Sequence, residues 1–184
     1  MSMFLGWMPD AATQAALADL QQGIRAALPA DAPRHDWRTP AQWHLTLRFL
    51  GESISDGQRG CIDDALRAFT AQATPAEASL VGARYWSASH VLVADIDASA
   101  ALKSLLEDLE TSMQDCGFAK GRTQIAHVTL AHLPRDTRTP ALPPIAIAIP
   151  TTSLSIDRIH LLRTDPGGYM SLASWPLAGG STDA

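Results

Sequence analysis

The chain predicts an α+β fold in which two similar halves face one another across a central groove. Three observations predict it. The order strand, helix, loop, strand occurs twice, over about 40 residues from Phe4 to His44 and 36 from Val91 to His127. The closing strand of each unit carries the same polar pair on an apolar background, as "HLTL" at 44–47 and "HVTL" at 127–130. A chain of 184 residues, 46% of them hydrophobic, is also long enough to bury one core, which makes residues 1–184 a single bilobal domain with an internal duplication.

The elements follow in order. Met3 to Met8 is a short apolar strand ended by Pro9, and Asp10 stands where a helix N-cap belongs. From Ala11 to Leu28, Leu17, Leu20 and Ile24 recur at helical spacing against a polar face. The proline-rich "PADAPRHDWRTPAQ" reads as a loop that delivers the chain to a strand at 43–50. A turn at "GESISDGQ" opens a second helix through Thr70, marked by Ile62, Leu66 and Phe69, and strands follow at 78–85 and 90–96. Ala98 to Cys116 is a third helix with Leu102, Leu105 and Leu109 on one side, and Gly117 is its natural stop. After the second polar-pair strand, "LPRDTRTPALPP" is a loop, and strands are expected at 145–149, 153–162 and 169–177, the last two joined by "TDPGG".

Composition narrows the partners. A net charge of −5 and a pI near 5.6 argue against a broad basic surface gripping long nucleic acid, while a small phosphate-bearing ligand or an RNA end remains compatible. Cys61 and Cys116 show no framework spacing and no C-x-x-C, so they read as two buried free thiols in a reducing cytoplasm. No apolar run approaches the roughly 20 residues of a membrane span, and the opening segment lacks the features of a signal peptide. The expectation is a cytoplasmic protein, acting as a monomer, with no cofactor.

Alternation over 44–47 sets Leu45 and Leu47 on one face and His44 and Thr46 on the other, and the same holds for His127 and Thr129. If equivalent strands pack about a pseudo-two-fold axis, both polar pairs line the groove. Two imidazoles on opposite walls suit phosphodiester cleavage, one taking a proton from the nucleophile and the other giving one to the leaving oxygen. Histidine fits because a pKa near 6.5 allows one neutral and one charged ring. The threonine hydroxyls can donate to non-bridging phosphate oxygens. By parity Arg48 joins His44 and Thr46, whereas Trp43 faces the core; Trp37, Tyr85, Trp86 and Tyr169 are candidates for stacking on a base. His35, His90 and His160 read as surface or strand-end residues without a role. A metal site is disfavoured: His127 and His132, five apart, fall on opposite faces of a regular strand. The chain also lacks a G-x-S-x-G elbow, a phosphate loop and a G-x-G-x-x-G.

"HLTLRFLGE" and "HVTL", about eighty residues apart, together with the opening strand ending in Pro9, "VLVADI", Arg122 five residues before His127 and the closing "GGYMSLASWPL", resemble the 2H phosphoesterase superfamily. The particular likeness is to its bacterial RNA 2′,3′-cyclic phosphodiesterases, also called 2′-5′ RNA ligases, and covers nearly the whole chain. It implies two pseudo-symmetric lobes of antiparallel sheet flanked by helices, with a V-shaped cleft between them. It also implies opening of a terminal 2′,3′-cyclic phosphate on RNA to a 2′-phosphate, and joining or cleavage of 2′-5′ linkages. His44 and His127 would be the acid–base pair, with His44 as acid and His127 as base, and Thr46 and Thr129 the phosphate clamps. Arg48, Arg122 and His132 complete the expected phosphate contacts, His132 standing where many members carry arginine. A small cyclic nucleotide or an ADP-ribose cyclic phosphate could replace RNA, and a catalytically idle RNA-end binder is the rival class.

Overall fold

The computed structural model describes residues 1–135 and 151–179. Among these the order is β1 (Met3–Trp7), α1 (Ala11–Ala27), β2 (Asp36–Trp37), a 3₁₀ turn (Pro40–Gln42), β3 (Leu45–Gly51), α2 (Asp56–Thr70), β4 (Ala76–Trp86), β5 (Val91–Ala98), α3 (Ala100–Asp115), β6 (His127–His132), β7 (Thr152–Ile156), β8 (Arg158–Asp165) and β9 (Gly168–Pro176). The helices begin where short oxygen-bearing side chains cap them. Asp10 accepts from the Thr13 amide at 2.7 Å, Ser55 forms a capping box with Gln58, and Ser99 accepts from the Leu102 amide. Gly117, at φ +81°, ends α3 in the left-handed conformation that glycine adopts freely.

Among the described residues all strand pairings are antiparallel, and the sheet runs β7-β4-β5-β6-β3-β1-β8-β9, with β2 alongside β6. The polar-pair strands β3 and β6 therefore meet at its centre, joined by one residue pair, Leu45↔Val128. Outward from this seam lie β1, β8 and β9 on one side and β5, β4 and β7 on the other. Leu45, Leu47, Val128 and Leu130 form one core with Leu17, Leu20 and Ile24 of α1, Ile62 and Leu66 of α2, and Leu102, Leu105 and Leu109 of α3. The helices thus cover one face of the central strands, and the opposite face forms the cleft.

Each central strand contains a β-bulge directly after its polar pair. Leu5↔Arg48 is followed by Gly6↔Thr46, and Leu92↔Ala131 by Val93↔Thr129, so at this point β3 and β6 each carry one extra residue; β3 takes a second near its end, between Phe4↔Phe49 and Met3↔Gly51. A bulge breaks the two-residue alternation. The result is buried Leu47 followed by buried Arg48, and buried Leu130 followed by buried Ala131, before Phe49 and His132 return outward.

Three expectations change. Cys61 and Cys116 are not free thiols: they form a disulfide from α2 to the end of α3, with Cα atoms 5.6 Å apart across 55 residues of sequence. Paired in this way, the cysteines give no sign of a reducing compartment. The strand expected at 153–162 is two strands: β7 completes the edge beside β4, and the chain then turns at Asp157 and enters β8 beside β1. The loop before His44 contains β2, held to β6 through Asp36↔His132 and Trp37↔Ala131. The strand expected at 145–149 lies outside the described residues. No described helix is long and apolar enough to cross a membrane.

Candidate active site

The seam places the two polar pairs. Leu45↔Val128 continued in the antiparallel sense sets His44 beside Thr129 and Thr46 beside His127, a square of two imidazoles and two hydroxyls with like groups on the diagonals. The two histidines are also held alike. Nδ1 of His44 donates to the Gln42 carbonyl at 3.1 Å, and Nδ1 of His127 to the Ile125 carbonyl at 2.7 Å. Because a carbonyl only accepts, each Nδ1 carries its hydrogen and each Nε2 is the nitrogen left for proton transfer.

The ring environments differ. His44 lies among Phe4 at 4.9 Å and Tyr169 at 4.2 Å between centroids, and His127 beside Trp86 at 4.4 Å. Burial pushes the His44 imidazole down to about 4; the Gln42 carbonyl opposes this, and the positive charges of His127 and Arg38 add to it. Burial lowers His127 as well, against the Ile125 carbonyl and the Asp95 carboxylate. Asp95 pairs directly with His127 across β5 and β6 and is held by Arg84 at 2.7 Å. Of the two rings, His127 has the carboxylate and His44 the cation as neighbour.

The remaining candidates separate. His132 faces the cleft, since the bulge restores it to the side of His127 and Thr129 and β6 is not the regular strand that would set the two histidines on opposite faces. Burial lowers its pKa, as does Arg38, while Asp36 opposes. Among the described residues no group of three or more His, Cys, Asp or Glu side chains gathers at ligand spacing. Arg48 turns away from the cleft. The same kind of bulge places it on the helix side, 6% exposed, where it pairs with Glu110 of α3 and donates to the carbonyls of Ala119 and Phe49. Arg122 lines a groove there with Arg48, Lys120 and Gly121.

Among the aromatic candidates, Tyr169 and Trp86 stand beside the two cleft histidines. Trp37 packs instead against the core, stacked on His35 at 5.0 Å with Arg25 over its ring. Tyr85 approaches His90. His35 is buried rather than on the surface. His160 lies mid-strand in β8 opposite Gly6, which is opposite Thr46, so it shares the cleft face two strands away. Arg38 and Asp95 had no assigned role from sequence. Asp95 left one signal, a charge inside the apolar "VLVADI" run; Arg38 left none, because a two-residue strand has no period.

An antiparallel α+β sheet with two His-x-Thr strands meeting at the floor of a cleft defines the 2H phosphoesterase class. The chain belongs to the 2′-5′ RNA ligase superfamily: the model of that family matches residues 55–168, and the model of the LigT like Phosphoesterase family matches residues 8–93. No curated protein sequence matches. Among solved structures, TT0787 of Thermus thermophilus is similar at 21% identity and TM-score 0.75, over 97% of this chain and 99% of that one. E. coli LigT complexed with NADP+ is similar at 20% identity and TM-score 0.65, over 96% of each chain. The MHV ns2 PDE domain follows at 16% identity and TM-score 0.55, over 84% of this chain and 98% of that one. The chain has a phosphoesterase's fold and family.

Proposed function

We propose that the protein hydrolyses 2′,3′-cyclic phosphate ends of RNA to 2′-phosphates by two-histidine acid–base catalysis without a metal ion. The observation that carries this reading is the pair of imidazoles across the seam, each with Nδ1 tied to a carbonyl and Nε2 left for chemistry. Water attacks phosphorus in line with the departing 3′ oxygen. One Nε2 takes the water proton, and the other, protonated, gives its proton to O3′ as the P–O3′ bond breaks. The product carries a 2′-phosphate and a 3′-hydroxyl, and the imidazoles exchange protons with solvent to reset. Thr46 and Thr129 donate to the non-bridging oxygens, where charge is held during displacement. A ribose 5′-hydroxyl in place of water gives a 2′-5′ linkage by the same displacement, the reading that the family's ligase name supports.

The division of roles has a specific observation against the sequence-based order. With His44 as acid, the bound phosphate must stabilise a proton that burial, His127 and Arg38 disfavour. With His127 as acid, Asp95 already supports it. A leaving-group comparison decides: the variant lacking the acid is rescued by a nitrophenyl ester, whose leaving group needs little protonation, and the variant lacking the base is not. The substrate itself is tested with a panel of short RNAs and mononucleotides bearing 2′,3′-cyclic ends, in excess chelator, with the product phosphate located. Turnover of RNA ends to 2′-phosphates is expected. Preference for a mononucleotide or an ADP-ribose cyclic phosphate would move the substrate class, and binding of RNA ends without turnover would favour a non-catalytic binder.

A further inference from the structure

The negative charge on a phosphodiester's non-bridging oxygens is stabilised further by a fixed cation placed beside neutral donors such as the threonines. Arg48 is held by Glu110 on the helix side, and Arg122 lines the groove beside it. Arg38 is placed differently. β2 pairs Asp36 with His132 and Trp37 with Ala131, and the Arg38 amide donates to the Leu130 carbonyl at 2.8 Å. Trp37 packs against the core, so alternation brings Arg38 out on the cleft face with His132, at the end of β2 nearest Thr129. Its charge acts on His44, His132 and Tyr169, which face the cleft from three different strands or strand ends.

The backbone of Arg38 is fixed from beneath. Gln21, a buried side chain of α1, donates through Nε2 to the carbonyl of Arg38 at 2.9 Å and to that of Leu130 at 3.1 Å. One glutamine therefore clamps β2 to β6 at this residue. The guanidinium itself is loosely committed: its carboxylate partner Asp36 is 3.4 Å away with a side chain 73% exposed. Such a rim pair is worth little, and a phosphate accepting two parallel N–H bonds competes with it.

We propose that Arg38 is a phosphate-binding residue of the cleft, engaging the non-bridging oxygens of a bound phosphate together with Thr129. The proposal rests on the phosphoesterase reading of the cleft, but phosphate binding can be measured without turnover. The probe is inorganic phosphate, titrated against the imidazole NMR signals of the full chain and used as an inhibitor of cyclic-phosphate hydrolysis. Arg38→Met should weaken phosphate at least about tenfold, the scale of a charge-assisted hydrogen bond, while Arg38→Lys recovers part of the loss. Arg67→Met, on an exposed helix pair elsewhere, leaves it unchanged. Asp36→Asn tightens phosphate in the parent but not in the Arg38→Met background, because the carboxylate competes for the guanidinium, whereas simple relief of like-charge repulsion would tighten phosphate in both. In ligand-free Arg38→Met the His44 pKa rises, because a positive charge facing it has gone while His127 remains.

Equal phosphate affinity in folded Arg38→Met and the parent protein overturns the proposal. If the parent opens cyclic phosphates and the variant matches it in both kcat/KM and phosphate affinity, Arg38 is dismissed and the enzymatic reading stands. If phosphate binds in an Arg38-dependent way but no cyclic phosphate is opened, the enzymatic reading falls and the phosphate subsite stands.

Discussion

Replacing Arg48 by methionine separates the two faces of β3. If strand parity held, Arg48 would touch substrate and its loss would raise KM. The bulge instead makes it half of an ion pair under the sheet, with side chains 7% exposed for Arg48 and 22% for Glu110. Arg48→Met strands a partly buried carboxylate and removes the donor to the Ala119 carbonyl, bonded at 2.6 Å. Removing one partner of a buried pair costs about 3–5 kcal/mol. Water reaches Glu110, which also keeps the Gly121 amide at 2.9 Å, so the low end, about 3 kcal/mol, applies here. For a chain of this length that lowers Tm by roughly 6–12 °C. Arg48→Met/Glu110→Leu should recover most of the loss, because no unpaired charge remains. The assays are thermal unfolding of the single and double variants beside steady-state kinetics on a cyclic-ended RNA below the lowered Tm. A raised KM with unchanged Tm would refute the register and return Arg48 to the cleft.

The remaining expectations concern protons and the disulfide. Burial holds both imidazoles below the ordinary histidine value in the free protein, His44 at about 4, so the singly protonated form is populated on the acid side of 6.5. The kcat/KM profile for a phosphodiester should be a bell with its maximum below pH 6.5, its alkaline limb marking loss of the remaining proton from the pair; a maximum above pH 7 contradicts the burial argument. Asp95→Asn removes the carboxylate that supports protonated His127, so that limb should move to lower pH, and an unmoved limb in a pH-rate comparison detaches Asp95 from the site. Reduction of Cys61–Cys116, or Cys61→Ser/Cys116→Ser, should destabilise by up to about 4 kcal/mol for a closed loop of 55 residues, read from urea unfolding with and without reductant. Identical unfolding curves would return the cysteines to free thiols.

What sequence made legible was local or repeated. The helices showed their 3.6-residue faces and caps, and His44-Thr46 and His127-Thr129 showed the alternation of half-buried strands. What it hid depended on partners elsewhere in the chain. A bulge is defined by the neighbouring strand's register, so nothing within "HLTLRF" announces that Arg48 turns inward or within "HVTLAH" that His132 turns outward. β2 is too short to have a period and exists because β6 offers it an edge. The break at Asp157, with no proline or glycine beside it, reflects two open edges, β4 and β1, that the same segment serves in turn. The cysteines meet because α2 and the end of α3 pack together, a proximity that spacing does not encode.

The central claim is that His44 and His127 jointly open a cyclic phosphate. The most direct test is single-turnover hydrolysis of an RNA with a 2′,3′-cyclic end, in excess chelator, by the parent chain, His44→Ala and His127→Ala, each checked for parental unfolding behaviour. The account predicts conversion to a 2′-phosphate by the parent and a loss of at least about 10²-fold in each variant, the scale of general acid–base assistance. Activity that vanishes in chelator and returns with a divalent metal, or variants that retain the parental rate, would contradict it.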